Sequence, residues 1–67
     1  MRGLDYYYAE IQRELCEFDM SIGQEFKFYA EKHSPREVFL WLEQRRINGH
    51  LPLSVSDLIT EFYWDVL

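Results

Sequence analysis

Apolar residues recur along most of this chain at spacings of three and four, which is the period of a helix face and not of a strand. In the first segment one face collects five of them: Leu4, Tyr8, Ile11, Leu15 and Phe18. Polar residues such as Asp5, Gln12 and Glu17 fall elsewhere around the same wheel. The pattern predicts an amphipathic helix over about residues 4–18.

The second segment begins with Ser21 and Gln24, which have the spacing of a capping box. Four apolar residues then share one face of a helix predicted over about residues 22–32: Ile22, Phe26, Tyr29 and Ala30. Residues 24–29 also alternate between polar and apolar, as a short strand does. We favour the helix, because a single strand would have no partner elsewhere in the chain.

Ser34 and Glu37 give the clearest helix start in the sequence, since each side chain can bind the backbone N–H group of the other. Pro35 occupies the first helical position, where no N–H donor is needed. Asn48-Gly49 tolerate the left-handed conformation that follows many helices. We therefore predict a helix over residues 35–47.

Residues 38–42 of this third helix are all apolar, which predicts neighbours on several of its sides. Near its end, Arg45 and Arg46 are expected to interact with the negative end of the helix dipole. Their long side chains are also expected to meet the acidic first or last segment.

The last helix is predicted over about residues 55–66, capped by Ser54 or Ser56. It follows a connector at 50–53 whose two leucines are expected to fold over the core. Its inner face carries Val55, Leu58, Ile59, Phe62 and Val66. A second apolar edge lies on the other side, formed by Thr60, Tyr63, Trp64 and Leu67. Such an edge favours contact with another molecule.

These elements predict an all-α fold, a single domain over residues 1–67 that forms a small compact bundle of three to four short helices. A chain of 67 residues hides only about 60% of its unfolded surface. Because 48% of its residues are hydrophobic and 18% aromatic, some large apolar side chains are expected to meet a partner or a second copy.

Charge is unevenly distributed. The net charge is −3 over residues 1–20, +1 over 21–49 and −3 over 50–67, which gives −5 in total. This balance disfavours binding to nucleic acid or to an anionic membrane and favours a basic partner.

Cys16 is the only cysteine, so no internal disulfide can form. This fits a reducing compartment, and we expect a cytoplasmic protein. We find neither an apolar run of membrane-spanning length nor a signal peptide, so no membrane association is expected.

Candidate chemistry is sparse. Cys16, His33 and His50 show no metal-ligand spacing, so no metal site or cofactor is expected. Glu10, Glu14 and Glu17 place carboxylates on one helix face, but a solvated face does the same. Phosphate-binding loops and nucleophile motifs are absent from the sequence, which predicts no catalytic residues, no small-molecule substrate and no enzyme activity.

A DNA-binding helix-turn-helix is the main alternative function. Two predicted helices are joined by Lys32-His33-Ser34-Pro35, and Arg36 opens the would-be recognition helix. That helix should present a polar face to the DNA groove, whereas residues 38–42 are apolar. We therefore rank this function below protein binding.

Aromatic residues provide the strongest interaction signal. A helix that buries Tyr8 turns Tyr6 away, and one that buries Phe62 turns Trp64 away. Tyr and Trp are common anchors of protein interfaces. The candidate partner-binding residues are Tyr6, Glu10, Glu14, Glu17, Asp57, Glu61, Tyr63, Trp64, Asp65 and Leu67.

The expected partner is another protein with a basic surface or a second copy of this chain. Small, acidic and aromatic-rich composition is shared with inhibitors and adaptors made by phages and mobile elements, some of which imitate the charge of DNA. We therefore predict a small protein-protein interaction module of this kind.

Overall fold

Four helices form the part of the chain that the computed structural model describes, residues 3–65. They are α1 (Leu4–Phe18), α2 (Met20–Lys32), α3 (Pro35–Ile47) and α4 (Leu53–Asp65). Within these residues there is no strand, so the prediction of a small all-α bundle is confirmed, and residues 22–32 are helical. The bundle measures 29 × 24 × 19 Å.

The core draws on all four helices. α1 packs against both α2 and α4, and α2 packs against α3. α3 reaches α4 through Phe39 and Phe62, whose rings lie parallel with centroids 3.8 Å apart. The buried apolar residues are Tyr7, Ile11, Leu15, Phe26, Val38, Phe39, Leu42, Val55, Ile59 and Phe62. Leu4, Tyr8, Ile22, Tyr29, Ala30, Trp41, Leu51 and Leu58 pack around them, partly buried.

α1 is rotated relative to the predicted face. Tyr7 is buried while Tyr8 is half-buried, and Phe18 is 53% exposed. The cause is α4, because Phe62 meets the ring of Tyr7 edge-on at 5.6 Å. The hydroxyl of Tyr8 is buried without a hydrogen-bond partner among residues 3–65, and burial raises the pKa of Tyr8.

α2 begins two residues earlier than predicted, and Ser21 is not its cap. The cap is Asp19, whose carboxylate accepts a hydrogen bond from the N–H of Ser21 at 2.9 Å. Asp19 is also the only residue between α1 and α2. Aspartate and serine are equally good helix caps. The capping-box spacing of Ser21 and Gln24 led to the wrong prediction of the cap.

α1 and α2 approach each other most closely at Gly23. A Cβ atom built on Gly23 would lie 2.3 Å from Sγ of Cys16 and 3.0 Å from its Cα and backbone N. The two backbones are therefore nearly in contact here, and only glycine fits without a shift.

Both ends of α3 are as predicted. The N–H of Glu37 donates to Oγ of Ser34, and the N–H of Ser34 donates to Oε1 of Glu37, which completes the capping box. These hydrogen bonds lower the pKa of Glu37, with a smaller contribution from the charge of His33. At the other end, Gly49 has a φ of 75° and its N–H binds the carbonyl of Arg46 at 3.0 Å. This is the glycine-terminated helix end that the sequence predicted.

α3 has fewer neighbours than its composition predicts. Val38, Phe39 and Leu42 are buried, but Leu40 is exposed, so one side faces solvent. Arg45 and Arg46 lie in the last turn of α3 as predicted, but the expectation that they meet the acidic first or last segment was wrong. Arg45 pairs with Glu25 of α2 at 2.6 Å, and Arg46 pairs with Glu43 of its own helix at 2.7 Å.

α4 begins at Leu53 and is not capped by Ser54 or Ser56, which lie inside the helix. The N–H groups of Val55 and Ser56 bind the carbonyl of Pro52 at 3.1 and 3.3 Å, so the first turn starts directly after the proline. Leu51 packs on the core as expected, whereas Leu53 is 83% exposed. The predicted inner residue Val66 lies outside the described residues.

Candidate interaction surface

Three of the candidate carboxylates surround one arginine on α1. The guanidinium of Arg13 lies 2.6 Å from Glu10, 3.6 Å from Glu14 and 3.8 Å from Glu17. The hydrogen bond to Glu10, followed by the charges of Glu10, Glu14 and Glu17, raises the pKa of Arg13. One cation for three carboxylates leaves this side of α1 negative.

Asp65 joins α4 to α1 and is less available than predicted. Its half-buried carboxylate accepts a hydrogen bond from the hydroxyl of Tyr7 at 2.5 Å. The two residues are 58 positions apart in the sequence. The contact places the end of α4 beside the start of α1, so the two helices are antiparallel. Each has a net charge of −3, and α4 contains neither Lys nor Arg.

The packing therefore brings together the two most acidic helices. Apart from Asp65, five of the candidate carboxylates on these helices are exposed or half-exposed. We call them the acidic surface: Glu10, Glu14, Glu17, Asp57 and Glu61. A surface with charges of one sign on adjacent helices attracts a basic molecule over about 10 Å at 0.1 M salt.

Trp64 is the most exposed large apolar side chain in the described residues, at 85%. With Leu53, Asp57 and Thr60 it forms a line at helical spacing, which we call the outer stripe of α4. Leu53 and Trp64 mark its two ends, about 16 Å apart along the helix axis. The exposure of Trp64 confirms the prediction that burial of Phe62 turns Trp64 outward.

The two candidate tyrosines are partly covered. The ring of Tyr6 meets that of Tyr7 edge-on at 5.2 Å. Tyr63 is 39% exposed and leans on Phe39 and Phe62. Burial, and then the charge of Glu43, raise the pKa of Tyr63, while Arg46 opposes them. Leu67, the remaining candidate, lies outside the described residues.

A second aromatic region, missed by the sequence analysis, lies on α2 and α3. Tyr29 stacks on His33 at 3.9 Å and on Trp41 at 5.5 Å, and the guanidinium of Arg45 lies 4.4 Å from the Trp41 ring centre. A shallow groove of about 340 Å³ runs beside these rings. Spacings of four residues could have indicated the contacts of Tyr29 with His33 and of Trp41 with Arg45. The contact of Tyr29 with Trp41 joins two helices, and no spacing in the sequence indicates it.

A more enclosed cleft of about 290 Å³ separates the start of α3 from the end of α4. Pro35, Arg36 and Phe39 line it from α3, and Phe62 and Tyr63 line it from α4. Of these five residues, only Tyr63 belongs to the predicted candidate set.

Few side chains in the described part of the chain are arranged for chemistry other than binding. No cluster of three or more His, Cys, Asp and Glu side chains in residues 3–65 could hold a metal ion. None of the four helices combines the length and the apolar character needed to cross a bilayer.

Comparison with known proteins adds no relative. The sequence matches no protein-family model, and neither a curated protein nor a solved structure is similar to it at a meaningful level. The function proposed below therefore rests on the residues of this chain alone.

Proposed function

We propose that this chain is a small protein-protein interaction module that docks on the basic surface of another protein, as an inhibitor or adaptor. The observation that carries the proposal is the outer stripe of α4, where Trp64 is 85% exposed beside the acidic surface. A large exposed ring next to a field of one sign has the two parts that a charged docking site needs.

The two parts have separate roles in binding. The carboxylates act at a distance, so they accelerate encounter with a basic partner and make the association rate fall with added salt. Trp64 acts only on contact, where burial of its ring slows dissociation. Among these carboxylates we choose Glu17 and Asp57 for the test, since both are exposed.

The first experiment identifies the partner and then measures its kinetics. Proteins captured from a lysate by the wild-type chain are purified individually and tested by surface binding at several salt concentrations. We compare the Glu17→Lys/Asp57→Lys double variant, which changes the net charge from −5 to −1, with Trp64→Ala. Phe28→Ala is the matched control, because Phe28 is an exposed aromatic residue at the groove of α2 and α3.

The proposal expects the double variant to associate several-fold more slowly with a flatter salt dependence. Trp64→Ala should dissociate faster with a nearly unchanged association rate, and Phe28→Ala should bind as the wild type does. Unchanged kinetics in both the double variant and Trp64→Ala, or loss of binding only in Phe28→Ala, would refute the proposal.

The helix-turn-helix alternative rests on the two-residue connection between α2 and α3 and on Arg36 at the start of α3. Against it, α3 buries Val38, Phe39 and Leu42 and exposes Leu40. Retention on a DNA or heparin column at low salt that fades with added salt would favour it. Tighter DNA binding by the charge-reversed variant would point the same way.

A further inference from the structure

The cleft between α3 and α4 has an aromatic floor and one aromatic wall. Phe39 and Phe62 form the floor, with ring planes only 4° apart. Tyr63 is inclined to them by 57° and 59° and forms the wall. Pro35 and Arg36 complete the lining from the start of α3. The volume of about 290 Å³ is large enough for one aromatic ring and a short polar group.

Arg36 differs from the other arginines in the described residues. Arg13, Arg45 and Arg46 each lie within 2.7 Å of a glutamate. Arg36 forms no ion pair or hydrogen bond with any residue of 3–65. The neighbouring Glu37 does not pair with Arg36, because its carboxylate binds the N–H and hydroxyl of Ser34 and lies 3.7 Å from Nδ1 of His33.

The cleft therefore combines a partly enclosed apolar space with an exposed residue that carries a guanidinium. Guanidinium groups bind carboxylates through paired, charge-assisted hydrogen bonds. The other charges near the cleft largely cancel, since Glu43 and Arg46, both close enough to influence Tyr63, pair with each other. Arg36 is the one charged residue among the five that line the cleft.

We propose that this cleft binds an aromatic carboxylic acid, with its ring against Phe39, Phe62 and Tyr63 and its carboxylate on Arg36. Such a group could be a free acid or the C-terminal aromatic residue of another protein, which present the same ring and carboxylate. The site is distinct from the acidic surface and does not depend on it.

The test is a titration followed by amide chemical shifts, with N-acetylphenylalanine and its uncharged analogue N-acetylphenylalaninamide. The proposal expects shifts centred on the cleft residues and binding of the acid about tenfold tighter than the amide. Arg36→Gln should abolish this preference. Lys27→Gln should keep it, because Lys27 is an exposed cation that does not line the cleft. Tyr63→Ala should weaken both ligands.

A preference retained by Arg36→Gln would overturn the proposal. So would equal binding of acid and amide to the wild type, or no shifts at the cleft up to about 10 mM ligand. The amide spectrum of each variant reports its folding independently of the ligand. Ala-Ala-Phe with a free C-terminus distinguishes the sources: tighter binding than N-acetylphenylalanine identifies a protein terminus, and equal binding identifies a free acid. Either result supports the site if it depends on Arg36.

Discussion

Replacement of Gly23 by alanine should have two opposing effects on the stability of the protein. Alanine favours the helical state over glycine by about 0.5–1 kcal/mol in a helix interior, so the change should stabilise α2 on its own. The new methyl group would, however, lie 2.3 Å from Sγ of Cys16 and 3.0 Å from its Cα and backbone N. The balance of these effects decides the sign of the change in stability.

The contact with Cys16 should be the larger effect. Rotation of the thiol can relieve the clash with Sγ, but Cα and N belong to the backbone of α1, so the helices must also move apart. Insertion of a methyl group into such a packed contact costs about 1–3 kcal/mol. We therefore expect Gly23→Ala to lose about 1 kcal/mol of unfolding free energy, equivalent to a decrease of about 4–8 °C in Tm for a domain of this size.

Thermal and urea unfolding followed by circular dichroism measure this change, and a double variant separates its causes. Cys16→Ala/Gly23→Ala removes the thiol but leaves the backbone contacts. The double variant should therefore lose less unfolding free energy than the sum of the losses in Cys16→Ala and Gly23→Ala. A Gly23→Ala variant that melts above the wild type would refute the reasoning, since helix propensity alone would then account for the result and α1 and α2 could not be in such close contact.

Three further predictions concern other parts of the bundle. Ser34→Ala should cost about 1 kcal/mol through loss of the cap of α3, and Leu42→Ala about 2–5 kcal/mol through a core cavity; a Leu42→Ala variant that melts with the wild type would show that this residue is not in the core. The capping bonds hold the pKa of Glu37 below its ordinary value of 4.5. The ionised Glu37 side chain therefore stabilises the fold above that pH, and this stabilisation is lost as the pH falls through the lowered pKa. Urea unfolding at pH 7 and pH 3 should therefore show a smaller loss for Glu37→Gln than for the wild type, and equal losses would contradict this. Light scattering at about 1 mM should show self-association through Trp64 that increases with salt, because two copies of charge −5 repel; a monomer at every salt concentration would show that this edge does not self-pair.

The features that the sequence predicted correctly depend on neighbours along the chain. The ends of α3 follow from Ser34, Glu37 and Gly49, whose capping hydrogen bonds join residues three apart. The exposure of Trp64 follows in the same way from its position two residues after buried Phe62.

The features that it missed depend on how the helices pack. Whether Tyr7 or Tyr8 is buried is decided by α4, which supplies both Phe62 and Asp65 to Tyr7. The cleft at Arg36 likewise exists only because the start of α3 meets the end of α4. No residue spacing within a helix contains that information.

The two tryptophans give the molecule two independent optical reporters. Trp41 is half-buried, stacked on Tyr29 and covered by the guanidinium of Arg45, so its emission should change when α2 and α3 separate. Trp64 is open to solvent, and a neutral quencher such as acrylamide should reach it in the folded state. A Trp64→Phe variant therefore reports unfolding alone, and a Trp41→Phe variant reports occupancy of the outer stripe of α4.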